Sequence, residues 1–192
     1  TDLETFHLMS RYDVVVAGGG AAGLSAAIFL ARAGVSVAVF DRAESSLRRV
    51  EKVYNYLGFP DGVGGTELLV LGRRQAERFG AAVLDASIDT VTSTPDGFGV
   101  ATSDAAHECT YFVIASNKRT DLATALGIEL GGFGGRFVQT DDSGATVVDR
   151  CYAAGRITGR PSQAIVSAGD GARVAIAIIE RIRGGYYVDH DT

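Results

Sequence analysis

The stretch from Arg11 to Asp41 allows few folds. Tyr12-Asp13-Val14-Val15-Val16-Ala17 is β-branched and apolar, as expected of a strand buried on both faces. Gly18-Gly19-Gly20 breaks it. Ala21 to Ala33 is rich in alanine and leucine and predicts a helix, which Gly34 stops. Val35 to Phe40 predicts a second buried strand, ended by Asp41. Together these form one βαβ unit. Within it, Gly18-x-Gly20-x-x-Gly23 follows a strand and opens a helix, and Asp41 stands 21 residues beyond Gly20. In that context the glycine spacing is a dinucleotide fingerprint. Gly18 permits the tight turn, Gly20 lets the backbone approach a pyrophosphate, and Gly23 lets the helix pack close to the strand. Free N–H groups at Ala21 and Ala22, with the positive end of the helix dipole, would face the phosphates. Asp41 would accept hydrogen bonds from the ribose hydroxyls of an adenosine half. FAD and NAD fit equally, since both carry that half.

The remaining composition narrows the function classes. A chain of 192 residues that is 46% hydrophobic can bury one core. Its formal charge of −5 argues against nucleic-acid binding and provides no polybasic membrane anchor. Sixteen of the 18 basic residues are arginine, the exceptions being Lys52 and Lys118. The longest apolar stretch, Val14 to Phe40, is broken by glycines and Arg32 and is not a membrane span. The first ten residues are mixed and polar, so a cytoplasmic setting is expected. Cys109 and Cys151 form no CxxC and read as small core residues; His7, His107 and His190 are isolated, and no metal site is expected.

Beyond Asp41, Ala43 to Lys52 reads as loop with some helix, and Tyr54 to Gly65 as loop with a turn at Phe59-Pro60-Asp61-Gly62. Thr66 to Phe79 predicts an amphipathic helix capped by Thr66, and Ala81 to Leu84 a short strand. Ile88–Thr94, Phe98–Thr102 and Cys109–Ala115 predict an antiparallel meander. Then come a short helix at Leu122 to Leu126, a glycine loop at Gly131 to Gly135, and strands at Arg136–Gln139, Thr146–Val148 and Cys151–Ala154. A long helix follows within Pro161 to Arg183, capped by Ser162. The expected fold is α/β: a Rossmann-like nucleotide-binding domain with a central parallel sheet, helices and an antiparallel β-meander. It forms a single domain over 1–192 with terminal tails at 1–10 and 184–192.

The order of motifs resembles the FAD domain of the thioredoxin reductase family. The family's opening is similar to Val15 to Ala26, and its asparagine-aromatic-x-Gly-Phe-Pro loop to Asn55-Tyr56-Leu57-Gly58-Phe59-Pro60. Its following helix resembles Thr66 to Ala81, its Tyr/Phe-Ala-Ala-Gly-Asp strand Tyr152 to Arg156, and its Gln-Ala-x-x-Ser-Ala-Gly helix entry Gln163 to Gly169. The resemblance implies FAD as cofactor. It adds Asn55, Ser116, Gly155, Arg156, Gln163, Ala164 and Ile165 to the binding residues Gly18, Gly20, Ala21, Ala22, Gly23 and Asp41.

The departures carry as much weight. The family's inserted nicotinamide domain, with its second glycine fingerprint and CxxC, is absent near residues 116–120, where Ala115-Ser116-Asn117 leads at once to Thr120-Asp121-Leu122. The family's Gly-Gly-Gln-Leu loop is matched only by Ser45-Ser46-Leu47, its Ala-Thr-Gly by Ala115-Ser116-Asn117, and its ribitol-binding aspartate by Arg156. A guanidinium only donates, so Arg156 leaves two readings: it swings out to solvent and the flavin is held less well, or, as is expected here, it pairs with the FAD pyrophosphate. The expected function is a minimal FAD flavoprotein with thioredoxin-reductase-like oxidoreductase chemistry. Its electrons would come from a partner protein or a small molecule, and it would form a homodimer. No catalytic residue is identified. The alternatives are a non-catalytic FAD- or nucleotide-binding module acting as sensor or assembly partner, and an ordinary NAD-binding Rossmann protein, against which the meander argues.

Overall fold

A computed structural model describes residues 9–188. Its elements in chain order are β1 (Met9–Ala17), α1 (Ala21–Arg32), β2 (Val37–Phe40), α2 (Gly65–Arg78), β3 (Ala82–Leu84), β4 (Thr90–Thr94), β5 (Gly97–Ala101), β6 (Ala106–Ile114), α3 (Asp121–Ala125), β7 (Leu130–Gly131), β8 (Phe137–Val138), β9 (Cys151–Ala153) and α4 (Ala164–Arg183). Seven strands form one mixed sheet in the order β3-β2-β1-β6-β5-β4, with β9 also paired to β6. Val14, Val15 and Val16 of β1 are fully buried. Their side chains alternate between two cores: one beneath α1 and α4, the other towards β5, α3 and β9. Burial on both faces is why β1 and β2 read as unbroken apolar runs rather than as alternating ones.

The meander and the parallel sheet share one strand. Along one edge β6 runs parallel to β1 from Met9↔Ala106 to Ala17↔Ile114. Its other edge changes partner. Cys109 back to Ala106 pairs antiparallel with Phe98 to Ala101 of β5, whereas Phe112 to Ile114 pairs parallel with Cys151 to Ala153 of β9. The meander is therefore not an appended hairpin. Its last strand is the centre of the sheet and carries the chain to the C-terminal edge, where α3 begins at Asp121.

Several element boundaries differ from the sequence reading. Met9 and Ser10, expected in a tail, belong to β1. At the other end, Tyr187 is buried against the core although it lies in the expected tail. Thr66 does not cap α2: the cap is Gly64, and the helix begins at Gly65, whose N–H donates to Val50 O at 3.0 Å. A Cβ at Gly65 would collide with the Leu47 carbonyl, so close backbone approach sets this helix start. Ser162 does not cap α4 either: Gln163 N donates to Pro161 O at 2.8 Å, placing Ser162 in a turn, and Gln163 holds the cap position. Thr146 to Val148 is not a strand; the Thr146 hydroxyl accepts from Val148 N and donates to Cys151 O, which bends the chain into a turn.

Cys109 and Cys151 are buried free thiols, as expected, and burial pushes both up to about 12. They are protonated and unreactive near neutrality. His107 lies between the Tyr12 and Phe40 rings, with ring centroids at 6.2 and 5.1 Å, and its Nδ1 has no hydrogen-bond partner. Burial lowers its pKa from the usual 6.5, opposed by the nearby Asp104. Below pH 6.5 the unfolded chain takes up a proton that the folded chain resists. Stability from this site is complete above pH 6.5 and is lost as pH falls towards the folded pKa. Denaturation midpoints at pH 7.5 and 5.5 are expected to fall more for the native chain than for His107→Leu; equal falls would contradict this assignment. His7 and His190 lie outside the described residues.

Candidate nucleotide-binding site

A cleft of about 360 Å³ opens at the C-terminal ends of the parallel strands. Ala17 at the end of β1, Phe40 at the end of β2 with Asp41 just beyond it, Ala115 after β6 and Ala154 after β9 all reach its wall. This edge is where open α/β sheets bind ligands, because the following helices begin there with unpaired N–H groups.

The glycine turn forms the floor, and each glycine has a different task. Gly18 has φ +121°, and a side chain there would meet the Ala115 carbonyl. A Cβ at Gly23 would fall on the Gly18 carbonyl, so α1 crosses its own strand in contact with the turn. Gly20 is different. It caps α1 with φ −82°, and a Cβ there would have only Ser45 nearby, at 3.5 Å to Oγ. Its missing side chain leaves space in the cleft rather than relieving a clash inside the fold. No side chain caps α1 and its first turn has no acid, so the N–H groups of Ala21 and Ala22 face the cleft without protein partners. The start of α4 is similar: Gln163, Ala164 and Ser167 line the opposite wall, with no acid in the first turn. Two helix N-termini thus make this cleft receptive to anions.

Asp41 is 8% exposed and sits at the tip of β2. One carboxylate oxygen accepts from Ala43 N at 2.9 Å, and the other lies 3.3 Å from Arg48 Nη2. A Cβ on Gly19 would come within 2.5 Å of the Asp41 Cγ, so this neighbour of the fingerprint must also be small. Of the cleft cations, Arg42 pairs with Glu44 at 2.7 Å and Arg119 with Asp121 at 2.7 Å. Lys118 and Arg156 line the cleft and face no carboxylate among the described residues. Asn117 adopts φ +61°, the left-handed conformation that asparagine tolerates better than other non-glycine residues. It therefore reproduces what a glycine after Ala115-Ser116 would do. The Ser116 hydroxyl donates to Arg119 O at 2.6 Å and closes this turn.

Gly18, Gly20, Ala21, Ala22, Asp41, Ser116, Arg156, Gln163 and Ala164 line the cleft. Gly23 and Gly155 lie behind its wall. Gly155 donates its N–H to buried Asp170 at 2.6 Å, which fixes the turn that carries Arg156. Two further expected site residues do not reach the cleft. Asn55 is exposed and donates to Gln163 Oε1 at 2.9 Å, so it touches the site only through that side chain. Ile165, one residue into α4 beyond Ala164, faces outward at 38% exposure because the helical turn carries it away from the wall. Tyr54, Tyr56 and Phe59 are also outside the wall; Tyr56 and Phe59 pack edge-on with centroids at 6.0 Å. Ser45, Ser46 and Leu47, the segment matched to the family's Gly-Gly-Gln-Leu loop, also line the cleft; the sequence reading missed Lys118, Arg119 and Ser167, which line it too.

A family model described as an FAD binding domain matches residues 13–49, the glycine floor through Asp41 and the turn after it. A thioredoxin reductase of Chlamydia trachomatis is 29% identical over 188 residues, covering 95% of this chain and 58% of that protein. In sequence and in fold the chain resembles the FAD-binding domain of thioredoxin reductases. NADPH-dependent thioredoxin reductase 3 of Arabidopsis thaliana is 34% identical over 110 residues, 54% of this chain and 21% of that protein. The chain thus spans less than two thirds of the length of these relatives. Among solved structures, a thioredoxin reductase from Gloeobacter violaceus superposes with a TM-score of 0.87 at 18% identity, covering 95% of this chain and 98% of that one. That likeness extends the shared fold from β1 to α4. No helix among the described residues is long and apolar enough to cross a membrane, and none of their His, Cys, Asp and Glu residues cluster as a metal site.

Proposed function

We propose that the cleft holds FAD and that the chain is a minimal flavoprotein with thioredoxin-reductase-like oxidoreductase chemistry. The observation that carries this reading is one cleft combining an uncapped α1 N-terminus, a Gly20 whose Cβ position opens into space, and a buried acid at the tip of β2. The residues fit the group. Ala21 and Ala22 would donate to the pyrophosphate, Asp41 would accept from the adenosine ribose, and Arg156 would add its planar fork to the phosphates. When bound, FAD supplies the redox chemistry, and the protein supplies binding, orientation and electrostatics. The cleft wall contains no cysteine or histidine, and the two described thiols are buried and protonated. Electrons would therefore enter and leave through a partner protein or small molecule rather than through a dithiol of these residues.

The same absence of reactive side chains from the wall favours a second reading, a nucleotide-binding module that senses rather than reacts. The absorbance spectrum of the purified chain separates the two. A flavin spectrum that bleaches with dithionite and recovers with an added acceptor is expected for the first. A colourless protein that refuses FAD but binds ADP would support the second. Asp41→Ala removes charge-assisted acceptors worth about 1.5–3 kcal/mol each, so FAD affinity should fall at least about tenfold. Unchanged affinity would remove Asp41 from the site.

A further inference from the structure

We propose that Arg48 is a positioning residue for nucleotide selection: it orients the Asp41 carboxylate so that the cleft reads a ribose diol. This rests on the nucleotide-binding reading above. Arg48 is not part of the cleft wall and acts through Asp41. The Asp41 side chain is 9% exposed, whereas that of Arg48 is 37% exposed, so the arginine approaches the buried acid from the outer side. Ala43 N and Arg48 Nη2 occupy one carboxylate oxygen each, at 2.9 and 3.3 Å. A carboxylate has about four acceptor positions, so two donors fix its plane and leave capacity for a pair of hydroxyls.

The support for Arg48 is built into the fold. It lies on a 3-10 turn, Ser46–Arg49, which begins where Ser45 Oγ accepts from Leu47 N and Ser45 O accepts from Arg48 N at 3.1 Å. The start of α2 backs that turn: Gly65 donates to Val50 O, and its missing side chain admits the Leu47 carbonyl. Ala43 holds φ +58°, a conformation costly for alanine, and its N–H is directed at Asp41. The neighbouring Arg42–Glu44 pair is self-neutralising, which leaves Arg48 as the cation that addresses Asp41. Strain, ion pair and helix start all converge on the orientation of one carboxylate.

The test compares ADP with 2′,3′-dideoxy-ADP by calorimetry on the 192-residue chain freed of co-purified nucleotide. The native chain is expected to prefer ADP about tenfold, the value of one charge-assisted hydrogen bond at the low end of its range. In Arg48→Ala, ADP affinity should fall about fivefold while dideoxy-ADP affinity stays within about twofold, collapsing the preference. Arg48→Lys, which retains a cation without the fork, should give an intermediate preference. Equal weakening of both nucleotides in Arg48→Ala would make the arginine a mere loop support and overturn the proposal, while the native preference left the nucleotide reading standing. A native chain that binds both nucleotides equally would overturn the reading of ribose by Asp41 and this proposal with it.

Discussion

Gly23→Ala is expected to lower stability by about 3 kcal/mol, the upper end of the range for overpacking a rigid site. For a chain of this length that is a fall of about 6–12 °C in melting temperature. The added methyl would lie on the Gly18 carbonyl and against Val16, which are backbone and core rather than the end of a flexible side chain. Relief would require moving α1 away from β1, and α1 is also held by α4, where a Cβ on Gly171 would collide with the Ala22 carbonyl. Gly20→Ala is the control from the same motif. Its φ of −82° suits alanine, and the new methyl would find only Ser45 at ordinary contact distance. Its melting temperature should stay within about 2 °C, as for a substitution outside the core. The methyl would occupy the approach to the α1 N–H groups, so FAD affinity should fall about tenfold or more through lost charge-assisted hydrogen bonds. Thermal melts and FAD titrations of both variants check this. Equal destabilisation by the two substitutions would mean that Gly20 is also a packing glycine.

The same pair shows what kind of information the sequence holds. The βαβ unit was legible because its signals are local: an unbroken apolar run, glycines at fixed spacing, and an acid at the end of the next strand. The partner change along β6 was not legible. Cys109 and Phe112 are both apolar, and nothing in their composition distinguishes a strand edge facing β5 from one facing β9. Thr66 and Ser162 read as helix caps because capping preference is a local statistic; tertiary packing at Gly65 and the turn closed by Gln163 N on Pro161 O decide otherwise. Arg48 meets Asp41 only because the chain folds back through a 3-10 turn, which leaves no periodic trace. Lys118 and Arg119 reach the cleft through the left-handed turn at Asn117. That asparagine was read as a departure from glycine, whereas it keeps the conformation.

Asp170→Ala is expected to cost about 3 kcal/mol and to disturb the cleft from behind. Asp170 is 6% exposed on α4. One oxygen accepts the Gly155 N–H at 2.6 Å; the other faces Arg173 at 2.6 Å, with Arg160 at 3.8 Å. Truncation leaves a buried N–H without an acceptor, which alone costs about 1–3 kcal/mol. It also leaves Arg173 without its carboxylate. Because Arg173 and Arg160 retain contact with solvent, the loss should be below the full value for a wholly buried pair. Asp170→Asn separates the contributions: its amide oxygen can still accept from Gly155 while the charge is gone, so it should retain about half of the lost stability. The effect on the cleft follows from the turn. Gly155 has φ +81°, and the next residue is Arg156 on the wall. Without the Asp170 anchor that turn is free to shift, and FAD affinity should weaken in Asp170→Ala more than in Asp170→Asn. Melting curves and FAD titrations read both quantities. A melting temperature within about 2 °C of the native chain for Asp170→Ala would show that the carboxylate does not hold the turn.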